Sequence, residues 1–321
     1  MAKFNYGGQA VVEGVMMRGR ASAAVAVRSA GGGIIVHEER LNPRVYARQV
    51  AQWPFVRGVL LLWDMLILGT RMMMFAASVS VQSAAAEGED RPESASIPAG
   101  AVADASAADA AGLGGIGMTL TLIFSLAFAI GLFFLLPLAA VGAAHRWLGS
   151  GWLSLTAEGL IRLALLIGYL ALIGRFPSIQ RVFMYHGAEH KAINCLEAGQ
   201  PLDVEHVRQS SRVHTRCGTG FLLIVVVVSI VVFGLIGNPP LPLRIASRVI
   251  LVPVIASIAY ELMRLGAANY HRRVVRWLMA PSLALQGLTT REPDDTQIEC
   301  AIVALGRVLR SDGVSGLVRV A

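Results

Sequence analysis

Charge is scarce in this 321-residue chain: Asp, Glu, Lys and Arg make up only 15% of it, while hydrophobic residues make up 55%. A soluble globular domain carries about 25% charged residues, so a water-facing shell over the whole chain is excluded. Cysteine is scarcer still. Cys195, Cys217 and Cys300 are too few and too scattered to staple a secreted mini-protein. The chain does not open as a secretory signal would, since MAKFNYGGQAVVEGVMMRG sets polar residues and glycine where an apolar run belongs. A mean hydropathy of +0.60 further excludes a disordered chain and a plain cytosolic enzyme. An integral membrane protein with some polar chemistry in it remains.

Two stretches have no charged residue at all. Residues 110–144 predict a span from Met118 to Gly142, and residues 217–243 centre on FLLIVVVVSIVVFGLIG. Two weaker candidates are 153–174, where Glu158 and Arg162 stand four apart on one helix face, and 245–265, with Glu261 near its end. A fifth stretch, 58–82, carries Asp64 and Arg71 and suits an interfacial or re-entrant helix as well as an extra span. With four spans, most basic residues fall on one side, leaving only Arg146, Arg244 and Arg248 on the other, as the positive-inside rule demands. The expectation is a mainly α-helical integral membrane protein of about four transmembrane helices plus an interfacial or re-entrant helix. Both termini are cytosolic and, with the central loop, build a small cytosolic α/β portion. The segments are 1–57 (Gly-rich, short strands), 58–82 (the ambiguous helix), 83–112 (a disordered acidic, Ala-rich linker), 113–174 (two spans), 175–218 (a cytosolic His/Cys loop), 219–265 (two spans) and 266–321 (an amphipathic cytosolic end).

Polar islands interrupt this oily background. The first, GGQAVVEGVMMRGR, reads as short strands with tight turns and continues into a hairpin of VAVR and GIIVHEE. Glu13 and Arg18 find no explanation in that reading. The second is Tyr185-His186-Gly187-Ala188-Glu189-His190-Lys191. On a helix, His-x-x-Glu-His puts two imidazoles four apart on one face, able to grip one ion, with Glu189 placed as a general base on metal-bound water. The third, His214-Thr215-Arg216-Cys217-Gly218, follows 24 residues after His190, immediately before a span. Imidazole and thiolate suit zinc, so His186, His190, His214 and Cys217 form a candidate tetrahedral set for zinc or another divalent metal. Four bound ligands would make a closed structural site; three would leave a position for water. Glu197 shares the helical face of the two histidines, and Glu261 falls where an inverted zinc peptidase keeps its distal ligand. Cys195 reads as a buried small side chain and His206 as a surface residue. In the C-terminal segment, Thr296 and Glu299 have capping-box spacing and Ile298, Ile302, Leu305 and Leu309 line one face.

GGQAVVEGVMMRG, YHGAEHKAINCLE with HTRCGTGFLL, and LTTREPDDTQIECAI together resemble the YqhQ-like family of bacterial membrane proteins, over nearly the whole chain except the acidic linker. The resemblance implies a multi-pass protein of the bacterial inner (plasma) membrane and a metal-dependent enzyme, with His186, Glu189, His190, His214 and Cys217 as its site.

Three function classes follow. The first is a metal-dependent hydrolase with Glu189 as proton shuttle, although a Cys217 ligand departs from known inverted zinc peptidases. The second is a membrane assembly or partner-binding protein with a structural metal, engaging a membrane or cytosolic protein partner besides the bilayer. The third is a small transporter, which would need ionisable groups at mid-membrane depth, and the two strongest spans have none. Arg near cytosolic span ends is what topology alone demands, so nucleic acid is not expected as a direct ligand.

Overall fold

The computed structural model describes residues 4–41, 53–88, 115–144, 149, 151–237 and 239–314. Strands β1 (Gly7–Val11), β2 (Gly14–Arg18), β3 (Ser22–Arg28) and β4 (Ile34–Arg40) form one antiparallel sheet in the order β1-β2-β3-β4. The expected hairpin is β3–β4, in which Arg28 pairs with Ile34 across the Gly-rich turn. Successive side chains in a strand point to opposite faces, and both faces of this sheet are covered. Val15, Met17, Ala24 and Ala26 face one core, while Met16, Ala23, Val25 and Val27 face another. Double coverage explains why β2 and β3 read as near-continuous apolar runs.

Eleven α-helical segments are described: α1 (Val56–Gly88), α2 (Gly115–Ile130), α3 (Leu136–Ala143), α4 (Trp152–Ile173), α5 (Pro177–Glu197), α6 (Val204–Gln209), α7 (Gly218–Ile236), α8 (Leu241–Ile250), α9 (Val252–Ala268), α10 (Arg273–Thr289) and α11 (Asp295–Ser311). Helices α5 and α11 cover the first sheet face; α1 covers the second through Leu68, Met72, Ala76 and Val79. The α/β portion is thus assembled from the N-terminus, the central loop and the C-terminus. Helix α11 buries the expected face, with Ile298, Leu305 and Leu309 fully enclosed and Ile302 nearly so, each side chain contributing roughly 1.5–3 kcal/mol. Its cap sits two residues earlier than Thr296/Glu299 spacing suggested: Asp294 and Gln297 make the reciprocal capping box. Thr296 instead donates its hydroxyl to Asp294.

By length and composition, stretches Val56–Ser83, Ile123–Ala143, Trp152–Ile173 and Gly218–Ile236 could each cross a membrane, and α8 with α9 would be a fifth if that pair, bent by 45°, is one span. The stretch 58–82 therefore falls within one long helix that meets the same test as the clear spans. It continues to Gly88, so residues 83–88 of the expected linker are helical, while 89–112 lie outside the described residues. The stretch 245–265 is broken at Leu251, where Pro253 opens α9 and cannot donate to the preceding turn. Between α2 and α3, Gly131–Leu135 widens into a π-helical turn just before Pro137. Pro137 has no N–H to offer the carbonyl of Phe133 four residues back, and Arg162 Nε donates to that carbonyl at 2.8 Å. Large apolar side chains such as Phe124, Phe128, Leu160, Val227, Val231 and Leu235 point outwards from these helices, a surface that water would penalise and lipid would cover.

Candidate metal centre

Helix α5 begins with Pro177 in its first turn and carries the His-x-x-Glu-His motif in its buried C-terminal half. The 3.6-residue period stacks His186 on His190 with ring centroids 4.4 Å apart. Cys217 arrives from elsewhere in the chain, as the residue capping the N-terminus of α7. Its Sγ stands 3.4 Å from His186 Nε2, and the ligand atoms of His186, His190 and Cys217 lie within 4.8 Å of one another. Tetrahedral zinc with Zn–S of about 2.3 Å and Zn–N of about 2.0–2.1 Å places sulfur and nitrogen about 3.5 Å apart. The Cys217–His186 pair already has that spacing.

Protons on the two imidazoles are fixed by backbone carbonyls. His186 Nδ1 is 2.9 Å from Thr289 O and His190 Nδ1 is 2.6 Å from Arg212 O. A carbonyl oxygen can only accept, so each Nδ1 carries the hydrogen and each Nε2 presents a lone pair. This is how metal-ligating histidines are commonly held. The sulfur is likewise oriented, with Thr219 Oγ1 at 3.0 Å and Thr289 Oγ1 at 3.2 Å behind it in a short hydroxyl chain.

The carbonyl over His186 belongs to Thr289, the last residue of α10, and is held in place by the segment that follows it. Arg291 N donates to Phe183 O at 2.9 Å, laying residues 289–293 along α5. Gly187 permits that approach, because a Cβ there would stand 2.1 Å from Arg291 O. Lys191, buried on α5, donates to Arg208 O at 2.7 Å and pairs with Glu292 at 2.6 Å, and Arg208 grips Asp295. The polar third and fourth turns of α5 are thus a scaffold for two crossing loops.

Glu189 points towards the sheet. It is 5% exposed, and its Oε2 lies 3.9 Å from His186 Nε2. Burial raises its pKa, opposed by His186 and by the backbone N–H of Gly8. Strand β1 comes this close because Gly8 has no side chain; a Cβ would press on Met16 O at 2.4 Å and on Glu189 Cγ at 3.0 Å.

His214 stands apart from the triad. Its ring centroid is 5.7 Å from that of His190, and its Nε2 faces Glu197 Oε2 at 3.7 Å, beyond hydrogen-bond length. Burial pushes the imidazole towards its neutral form against the pull of Glu197. Gln286 holds the His214 backbone from both sides, accepting from its N–H at 3.0 Å and donating to its carbonyl at 2.8 Å. Glu197 ends α5 in an ion pair with Arg216. Burial opposes its charge, but His214 and Arg216 outweigh burial and hold its pKa down to about 2. Glu261 is occupied elsewhere, by the guanidinium of Arg57 and the N–H of Phe55, and does not join the triad. Cys195 is buried as expected, and His206 sits on the surface against Asp203.

Glu13 and Arg18, unexplained by the strand pattern, are anchors. The Glu13 carboxylate takes two bonds from Arg181 of α5, at 2.5 and 2.6 Å, with Tyr185 Oη at 3.3 Å. It does so from a left-handed backbone, φ 53°. Arg18 pairs with Asp64 of α1 at 3.2 Å. No spacing rule could have found these partners, which lie 46 to 172 residues away.

Two comparisons place this chain among known proteins. Residues 53–311 match a family model described as "Protein of unknown function (DUF1385)". The chain is 34% identical over 312 residues to the "Uncharacterized protein YqhQ" of Bacillus subtilis (strain 168), covering 97% of this chain and 94% of that protein. No solved structure matches. Neither description carries a reaction, so the chemistry rests on the side chains themselves. With a family match over residues 53–311 and a relative aligned over 97% of this chain, the chain belongs to the DUF1385, YqhQ-like family.

Proposed function

We propose that this is a metalloprotein of the bacterial inner membrane that holds a divalent ion, zinc by ligand chemistry, on His186 Nε2, His190 Nε2 and Cys217 Sγ. The observation that carries the proposal is the pair of carbonyls, Thr289 O and Arg212 O, that set both imidazoles in the metal-binding tautomer. Three protein ligands leave the fourth position of a tetrahedral ion to water or substrate. An ion there would polarise a bound carbonyl or phosphoryl oxygen. Glu189, 3.9 Å from His186 Nε2, is the acid or base that would pass the proton. The reaction class is hydrolysis.

The centre sits at the membrane boundary, because Cys217 is the last residue before the apolar α7. Helix α1 is read as lying along the interface: its residues 68–79 pack on a sheet, and open strand edges do not lie in lipid. The sheet, α5, α11 and both termini then share the cytosolic side with most of the arginines.

A second reading, an assembly protein with a structural metal, draws support from His214. A ring 5.7 Å from His190 could close the ligand set by a small shift. Substitution by cobalt distinguishes the two. The proposal expects a sulfur-to-cobalt charge-transfer band that is lost in Cys217→Ser and shifts when azide enters the open position. A band unmoved by azide favours the closed structural site, and no band in the wild type refutes the centre.

A further inference from the structure

A second constellation lies among the candidate spans, far from the metal centre. Glu158 and Arg162 of α4 and Arg248 of α8 are 4%, 4% and 2% exposed. Arg248 donates Nε and Nη2 to the two oxygens of Glu158 at 3.0 and 2.9 Å, and Arg162 Nη2 donates to the same carboxylate at 2.9 Å. Each nitrogen of Arg162 then has a partner, with Nη1 on Ser229 Oγ and Nε on the Phe133 carbonyl, both at 2.8 Å. Arg248 is not: its Nη1 is buried and has no hydrogen-bond partner among the described residues, while Phe233 covers its guanidinium at 3.7 Å. One turn towards the start of α8, Arg244 donates Nη2 to Pro239 O at 3.3 Å, and its buried Nε has no hydrogen-bond partner among the described residues.

Depth follows from helix geometry. Ser229 lies eleven residues into α7 and Arg162 eleven residues before the end of α4. At 1.5 Å per residue both stand about 16 Å from the helix ends that face the metal centre, near the middle of a hydrocarbon core of about 30 Å. Two guanidiniums, which do not deprotonate in proteins, face a single carboxylate there. An uncompensated charge at this depth is costly and marks a binding or transport site by default. The element supplying it is a helix interrupted at Leu251, the form in which membrane proteins commonly build mid-membrane ion sites.

We propose that Arg248, with Arg244 as the approach, is an oxyanion-binding site reached from the membrane side opposite the metal centre. Its ligand is a phosphate group, which the planar, multi-donor guanidinium matches. The phosphate comes either from free inorganic phosphate or from the headgroup of an anionic lipid, and the inference stands independently of the metal.

The test is thermal unfolding of the purified full chain in lipid nanodiscs. One arm titrates inorganic phosphate into phosphatidylcholine discs; the other exchanges phosphatidylcholine for phosphatidylglycerol without phosphate. A rise of several degrees in the first arm assigns the site to free phosphate, and a rise in the second alone assigns it to the lipid headgroup. Arg248→Gln should abolish the rise. Because it also removes two of the three bonds to Glu158, its unliganded midpoint falls, and the readout is the shift on adding phosphate or phosphatidylglycerol relative to that variant's own unliganded midpoint. Arg244→Gln, at a half-buried position, should reduce the rise and guards against a folding defect in the first variant. No rise in either arm, or an equal rise in Arg248→Gln, would overturn the proposal and leave the cluster an interhelical clamp.

Discussion

Substituting Gly187 by alanine should disable the metal centre without touching a ligand. A Cβ on Gly187 would stand 2.1 Å from the Arg291 carbonyl oxygen and 3.4 Å from Pro293 Cδ. The first contact is with backbone, so no side-chain rotation relieves it, and the 289–293 segment must retreat by more than an ångström to reach ordinary contact distance. Overpacking of this kind costs about 1–3 kcal/mol. Retreat also withdraws Thr289 O, which lies 2.9 Å from His186 Nδ1. Losing such an outer partner typically weakens metal affinity by about 10–100-fold. The assay is a competition titration of zinc against a chromogenic chelator, run beside Gly287→Ala. Position 287 lies on α10, where a Cβ meets nothing within 4 Å, so that variant should bind like wild type and gain up to about 1 kcal/mol from helix propensity. Wild-type zinc affinity in Gly187→Ala, with the protein folded, would refute the claim that the carbonyl over His186 prepares the site.

Gln286→Ala should destabilise the fold by about 2–4 kcal/mol, since it strips partners from both the buried N–H and the carbonyl of His214; chemical denaturation reads this, and a loss below 1 kcal/mol would contradict it. Glu197, held down to about 2 by His214 and Arg216, contributes stability that is fully present above its unfolded value of about 4.3 and is lost as pH falls towards 2. With its side chain 31% exposed, the contribution after screening is about 1–2 kcal/mol. Glu197→Gln should flatten the wild-type stability decline between pH 5 and pH 2, and an unchanged slope would count against the assignment. Glu13→Gln should cost about 1–3 kcal/mol by weakening its paired bonds with Arg181, measured as a drop in thermal midpoint that Arg181→Gln does not deepen when the two are combined.

Local pattern and long-range placement were unequally visible in the sequence. The two histidines of α5 could be paired from spacing alone, because four residues return a helix to the same face. Cys217 was reachable because it closes the same loop. The Glu158–Arg162 pair was legible for the reason that served the histidines, and the apolar stripe of α11 likewise. What spacing could not supply were partners brought by tertiary packing. The carbonyls of Thr289 and Arg212 carry no side-chain signature, and Arg248 meets Glu158 across 90 residues. His214 looked equivalent to the other ligands because its residue type and proximity fit; Gln286 fixes its backbone and its ring faces Glu197 instead. Glu261 fitted a familiar sequence separation, but Arg57 holds it at 2.7 Å. Helix α1 was ambiguous because Leu68, Met72, Ala76 and Val79 have the apolar character of a span while covering a sheet.

Metal stoichiometry by elemental mass spectrometry tests the central claim most directly. Detergent-purified wild type and His214→Ala, prepared without chelators and with zinc added back, should each carry close to one zinc per chain. His186→Ala, His190→Ala and Cys217→Ala should carry almost none. A wild type that holds no zinc, or retention of the full complement in His190→Ala, would contradict the account.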